Sequence, residues 1–518
     1  MKITFITPPT IKGRAAERLF GCTYQVYPQP NLVVLYAATI LKNKGYNVKV
    51  RDMPVEGLSF SQYKEWAKHD NSDIYCFHTV PLCTELDLHA VKFLNHEKIV
   101  IWFGPRPTSD PKEFLLNDNH YVIRGEAEAV ISKVVEAIEK SLDEKKDDEK
   151  NRSKKDTSDY EKNNGNINRN DNSDDNTKDK HKQFKDILGI SFKRNGEIIE
   201  NKGFGYIKDI NKLPIPDRTL IQYKKYTNPK LPEAPYTTML TSRQCNAKCY
   251  YCVPNSLSYA RELEWKRCNT NPECVKPPVT IRDPEDIKKE LEEIKSLGIK
   301  AISVIDDQFV WGKERHLEIC KAFKEVGLPF GILARNDKLV DEDIIKALAD
   351  AGCIYVDFGV ESFRQEILDD VGKEINVNTI ERSINLLLKY GIEPKINILY
   401  GASPLETKET LKETLDKVLK LGVDFAQFAV CSPFPGTRFR KIALEKGWVV
   451  EEDVGKADPS KKSLIEYPHL SSDYLTNWVK HSYRKFYFRP RIIMKRLSKI
   501  KRPGDAVVYM KGLWQLTK

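Results

Sequence analysis

The sequence has no apolar run approaching the roughly 18 residues of a membrane span, and the stretch after Met1 is too short and too interrupted to resemble a signal peptide. A cytoplasmic chain is the expectation. Thiols stay reduced in that compartment, so clustered members of the eleven cysteines read as metal ligands or redox groups rather than disulfides. Excess charge is also scarce in the body of the chain. The formal net charge is +10, yet residues 480–518 alone hold twelve Lys and Arg against the single Asp505. The basic character therefore belongs to the C-terminus. Large apolar residues are nearly missing from Asp143 to Lys182, where Tyr160 and Ile167 stand among eleven basic and twelve acidic side chains. Such a stretch buries too little surface to offset the entropy of ordering. A disordered insertion over 142–184 is expected, separating one domain from the next.

The remainder, in a chain of 518 residues with 40% hydrophobic content, is enough for several cores. Residues 1–141 alternate short β-rich runs (Lys2–Thr7, Tyr46–Val50, Asp73–His78, Ile99–Phe103) with helical stretches such as Asn31–Lys44. That spacing predicts an α/β, doubly wound parallel sheet of Rossmann-like form. Ligands of such sheets sit beyond the strands' C-terminal ends, which puts Pro8, Asp52, Thr79, Gly104 and Gly125 on one rim. Residues 185–235 read as a hairpin around Asn195-Gly196 and a proline-containing connector. Six β/α units over 236–450 predict a partial TIM-type (β/α)6 barrel, with its reactive groups just after the strands. Residues 451–518 read as a basic helical extension with interleaved aromatics. A cap on the barrel is the expected role, and contact with a membrane surface or an acidic partner is the alternative.

Directly after the first barrel strand comes Cys245-Asn-Ala-Lys-Cys249-Tyr-Tyr-Cys252. Three thiolates on one tight loop suit a 4Fe-4S cluster that keeps one iron open. They also suit a zinc site closed by Cys268 or Cys274, and spacing alone leaves the two even. The three-residue and two-residue gaps, with an aromatic before the third cysteine, resemble the signature of the radical S-adenosylmethionine enzymes. That resemblance implies Cys245, Cys249 and Cys252 as cluster ligands and S-adenosylmethionine on the open iron. It implies one-electron cleavage to a 5′-deoxyadenosyl radical, fed by a flavodoxin- or ferredoxin-type donor, with Tyr251 supporting the adenine through its backbone.

Further stretches resemble the branch of that family with an N-terminal cobalamin domain. Asp306 and Asp307 fall in an Asp-Asp-x-Phe segment, Arg335 in Arg-x-Asp, and Glu361 in Gly-x-Glu-Ser; the resemblance implies these four around S-adenosylmethionine. Gly401–Thr407 carries one residue too many for the matching segment, so no ligand role is transferred there. Pro8, Asn31, Leu32, Asp52, Gly104, Gly125 and Glu126 recur where that branch binds cobalamin. Where cobalt-ligating proteins have Asp-x-His-x-x-Gly, this chain has Asp52-Met-Pro54-Val-Glu-Gly57, which implies a cobalt without that histidine. His78 reads as a satisfied histidine at a strand end.

The implied activity is methyl transfer from methylcobalamin to an unactivated carbon of a peptide side chain, lipid or tetrapyrrole. The alternatives are a non-methylating oxidase or cyclase, and a methylthiotransferase with a second cluster on Cys22, Cys76 and Cys83. No nucleic-acid partner is expected; a zinc-stabilised nucleic-acid binder is the non-enzyme alternative.

Overall fold

The computed structural model describes residues 1–11, 17–20, 27–159, 182–269, 276–456 and 462–498, without the side chains of 145–159, 456 and 496–498. Its first sheet contains β1 (Lys2–Thr7), β2 (Asn47–Asp52), β3 (Ile74–His78), β4 (Ile99–Phe103), β5 (His120–Ile123), β6 (Ile190–Arg194) and β7 (Glu197–Glu200). They lie in the order β2-β1-β3-β4-β5-β6-β7, the first five parallel and the last two antiparallel. The strands are apolar on both faces because both are covered. Ile74 and Cys76 of β3 pack on one side with the helix Leu32–Asn43. Tyr75 and Phe77 pack on the other with the helix Phe60–His69.

The sequence places the hairpin after this domain, but β6 and β7 join its sheet through β5. The charged insertion therefore interrupts the first domain instead of ending it. Its opening is also helical: the helix that begins at Ala127 continues to Asp159. Acid- and lysine-rich residues favour helix without supplying an apolar stripe, which is why periodicity misses it. Residues 160–181 lie outside the described residues. The two limbs meet at the sheet, where Gln183 Nε2 donates to Glu144 Oε2 at 2.5 Å.

The second sheet is a partial barrel of β8 (Tyr236–Met239), β11 (Ala301–Val304), β12 (Phe330–Leu333), β13 (Cys353–Glu361), β14 (Glu393–Tyr400) and β15 (Phe425–Val430). A short ladder of β9 (Ser242–Arg243) and β10 (Thr280–Ile281) lies beside it. The six strands run parallel in the order β15-β14-β13-β12-β11-β8, leaving β15 and β8 as open edges. Helices cover the outside through stripes such as Ile287, Leu291 and Ile294. The unpaired edge of β15 is closed by the helix Ser472–Tyr487: Phe428 N donates to Tyr483 Oη at 3.2 Å, and Tyr487 Oη donates to Ala426 O at 2.8 Å. The expected helical cap is thus present. No helix among the described residues is long and apolar enough to cross a membrane.

Candidate functional site

The cysteine loop leaves β9 and is braced at both ends by one strand terminus. Asp307, after β11, accepts from Gln244 N at 3.1 Å on the entering limb and from Asn255 N at 2.7 Å on the leaving limb. Asp306 beside it accepts from Thr241 N at 2.7 Å and Ser242 Oγ at 2.8 Å. Both carboxylates are spent inside the protein. Burial pushes the Asp307 carboxyl up to about 6, against the hydrogen bonds that lower it. The pair expected around S-adenosylmethionine instead holds the loop that carries the thiols. Nor do these residues cap a helix, since the next one starts at Lys313.

Tyr250 pins the middle of the loop. Its N donates to Val371 O at 3.1 Å and its O accepts from Phe439 N at 3.0 Å. Cys245, Cys249 and Cys252 are half-buried. Burial pushes the Cys245 and Cys252 thiols up; at Cys252 the nearby Cys249 and Cys245 add to it and Lys276 opposes it. Lys276, Arg335 and Lys373 all feel these cysteines electrostatically. Lys276 beside Cys245 and Cys252, and Arg335 beside Cys245, oppose that burial and offset part of the cost of the thiolate, the form that binds iron. Tyr251 Oη is buried here without a hydrogen-bond partner.

No three His, Cys, Asp or Glu side chains among the described residues converge on a single metal ion. A zinc ion draws its sulfurs to one centre, whereas each cysteine of a four-iron cluster takes a different iron. Cys268 does not close the set. It is exposed at the far end of the helix Ser256–Cys268, with Sγ 4.0 Å from Glu264 Oε1. Cys274 lies outside the described residues. Among the described cysteines the loop thus supplies three thiols, the number that a cluster with one open iron takes.

Beyond the loop, Arg335 and Glu361 meet at the ends of β12 and β13. Arg335 Nη2 donates to Lys373 O at 2.9 Å, while Lys373 Nζ donates to Glu361 Oε1 at 2.7 Å. Glu361 has φ 65°, and a Cβ on Gly359 would lie 2.1 Å from Glu361 Oε1. Gly359 is required for the carboxylate to turn in. Lys373 carries no motif and escapes sequence reading. Arg364, three residues further on, pairs with Glu366 and Glu413 and not with Glu361.

On the first domain's rim the structure brings together Pro8, Asn31, Asp52 and Gly104, around the β1/β3 point where such sheets open a crevice. Asn31 caps its helix and its Nδ2 lies 3.0 Å from His78 Nδ1. Tyr226 Oη donates to Asp52 at 2.6 Å, and burial pushes that carboxyl up to about 6. Gly104 has φ 105°; a Cβ there would stand 2.7 Å from the His78 ring. His78 is satisfied on one side alone, for its Nε2 is buried without a partner. Burial, with Arg18 adding, pushes it down to about 3, so it is neutral.

Three residues that the resemblance placed at cobalamin face elsewhere. Leu32 is wholly in the core. Gly125 backs onto Phe204 and Glu264. Glu126 turns into the barrel: Arg243 Nη1 donates to its Oε1 at 2.6 Å and Ile207 N to its Oε2 at 2.7 Å. Arg243 also lies 2.5 Å from Glu128, and Arg124 pairs with Glu264 at 2.9 Å. These buried pairs join the first domain to the residues flanking the cysteine loop. A second cluster finds no support: Cys76 and Cys83 are buried with thiols pushed up, Cys83 to about 12, and Cys22 lies outside the described residues.

A parallel barrel with a braced three-cysteine loop defines the class, and residues 239–418 match the Radical SAM superfamily. That match spans the six strands of the barrel except the start of β8 and the last strand β15. Over 96% of its length the chain is 26% identical to an uncharacterized methyltransferase of Pyrococcus horikoshii, spanning 94% of that protein. It is also 26% identical to the bacteriochlorophyllide d C-8(2)-methyltransferase of Chlorobaculum tepidum, over 44% of this chain and 55% of that one. Among solved structures it resembles the radical S-adenosylmethionine methyltransferase TsrM of Kitasatospora setae, described with cobalamin and a 4Fe-4S cluster, with TM-score 0.59 and 15% identity over 95% of this chain and 86% of that one. It resembles the cobalamin-dependent S-adenosylmethionine radical enzyme OxsB with TM-score 0.63 and 15% identity over 100% and 71%. The shared fold thus covers both domains.

Proposed function

We propose that this chain is a cobalamin-dependent radical S-adenosylmethionine enzyme that methylates an unactivated carbon. The observation that carries the reading is the Glu126–Arg243 pair: it fixes the first domain against the residue two positions before Cys245. Two cofactors must face one another across a substrate for this reaction, and such a joint keeps their sites in register. When bound, the cluster with S-adenosylmethionine supplies a carbon radical that removes a hydrogen atom, and cobalamin supplies the methyl group.

The chain's own part is holding and shielding. Cys245, Cys249 and Cys252 hold the cluster, and Asp306 and Asp307 keep their loop in place. Tyr251, Arg335, Glu361 and Lys373 line the S-adenosylmethionine pocket, with the Tyr251 hydroxyl free to meet a ligand. Pro8, Asn31, Asp52 and Gly104 form the cobalamin rim. A radical S-adenosylmethionine enzyme needs a one-electron reductant, for which a flavodoxin- or ferredoxin-type donor is proposed. The substrate classes left open by this reading are a peptide side chain, a lipid and a tetrapyrrole. The test is incubation of reconstituted protein with methyl-labelled S-adenosylmethionine, reductant and cell extract. A labelled product alongside 5′-deoxyadenosine supports methylation; 5′-deoxyadenosine with an unlabelled, altered product points to the cyclase or oxidase alternative.

The rim predicts a spectroscopic outcome. Pro54 has no ligand atom, and His78 directs Nδ1 to Asn31 while its ring abuts Gly104. The electron paramagnetic resonance spectrum of bound cob(II)alamin is therefore expected to lack nitrogen superhyperfine splitting. A threefold splitting would mean that His78 or the cofactor's own base reaches cobalt.

A further inference from the structure

The inner face of the barrel carries polar side chains where packed barrels are filled by branched apolar ones. Along β14 the exposure alternates: Pro394, Ile396 and Ile398 are buried outward, whereas Lys395 and Asn397 face inward half-buried, as does Gln427 on β15. At the centre stands Asp357 of β13. Lys395 Nζ lies 2.5 Å from its Oδ2, Lys230 Nζ lies 3.5 Å from the same oxygen, and Asn397 Nδ2 donates to Oδ1 at 2.8 Å. One carboxylate thus answers two ammonium groups, leaving one positive charge over. Its oxygens already have three donors, while the lysines have N–H groups to spare. Lys230 and Lys395 are 18% and 19% exposed in their side chains, so neither is sealed from solvent.

The location suits a substrate. Asp357 and Glu361 lie four residues apart on β13 across a register shift at Gly359–Glu361, and the Glu361 carboxylate folds back over Gly359, on the face that Asp357 shares. The wall beside Lys230 comes from the first domain, where Pro28 O and Pro30 O accept from Tyr236 Oη and Thr238 Oγ1, both at 2.9 Å. Asn31 of that same segment stands on the rim. A molecule held at the lysines therefore reaches toward both proposed cofactor sites.

We propose that Lys230 and Lys395, with Asp357 setting their geometry, bind an oxyanion of the substrate: a carboxylate or a phosphate or phosphonate. This inference rests on the reaction proposed above, whose substrate it describes. It disfavours a neutral lipid tail or a cationic peptide side chain as the group buried in the lumen.

The experiment is calorimetric titration of the cluster-loaded, cobalamin-loaded protein with phenylphosphonate, benzoate and benzylamine. The two anions are expected to bind and benzylamine not to; the tighter anion assigns the phosphorus or carboxylate source. Lys395→Met should weaken the anion about tenfold, as one charge-assisted hydrogen bond is lost. Asp357→Asn should strengthen it, because it frees both lysines. Lys230→Met repeats the first test on a residue outside the strands, in case the Lys395 variant does not fold. Preferential binding of benzylamine, or anion binding indifferent to all three variants, overturns the proposal. The titration reads binding alone. Wild-type protein that binds these anions but cleaves no S-adenosylmethionine counts against the proposed reaction and not against the anion site.

Discussion

Replacing any one of Cys245, Cys249 or Cys252 with Ala is expected to abolish both iron retention and 5′-deoxyadenosine formation, while Cys268→Ala leaves both. The loop offers three thiols and no fourth; losing one leaves two to hold four irons. Cys268 sits beside Glu264 instead. Lys276, Arg335 and Lys373 remain in the variants but supply no ligand atom. Iron and sulfide content after reconstitution, with 5′-deoxyadenosine by chromatography, reads the outcome. Equal loss from Cys268→Ala would mean a closed fourth position, and the zinc-like arrangement would return.

A second large effect is expected at the joint between the domains. Arg243→Met leaves Glu126 and Glu128 buried side by side, with Arg261, 3.8 Å from Glu126, as the cation still beside them. Removing one partner of a buried pair costs about 3–5 kcal/mol, because the remaining charge is left under-compensated away from water, and Arg261 places the loss toward the lower end. A clear fall in the thermal denaturation midpoint should follow. Arg243 stands two residues before Cys245, so cobalamin and iron content should fall together. Adding Glu126→Gln to Arg243→Met removes one stranded charge and should recover part of the loss. If the single variant keeps full stability and both cofactors, the pair is not the joint between the domains.

The barrel was legible because parallel strands buried on both faces read as short apolar runs, each followed by an amphipathic helix. Phe330–Leu333 is found where the run predicts it. The cysteine loop was legible as a metal site from its spacing, and as a cluster site only through the family resemblance. The roles of Asp306 and Asp307 were not, since their partners Thr241, Ser242, Gln244 and Asn255 lie some fifty to sixty positions away and meet them by folding. The helix Ser256–Cys268 was missed for a related reason. It has no apolar stripe; it buries Arg261, Glu262 and Glu264, and its charges are matched by residues from other elements. Glu126 shows the same limit in reverse, as its motif marks a position while its direction depends on Arg243.

The tyrosine-capped edge of β15 has a consequence during synthesis. The last strand of the barrel is finished at Val430, and the helix that covers it begins at Ser472. The edge contacts come from Tyr483 and Tyr487, and at ~5–20 residues per second the nearly sixty residues from Val430 to Tyr487 take about 3–11 s to be made. For that interval the nascent barrel carries a bare strand edge, the kind of surface that pairs with other chains. Translation speed through 431–487 would then govern how much of the protein escapes edge-to-edge pairing before it folds.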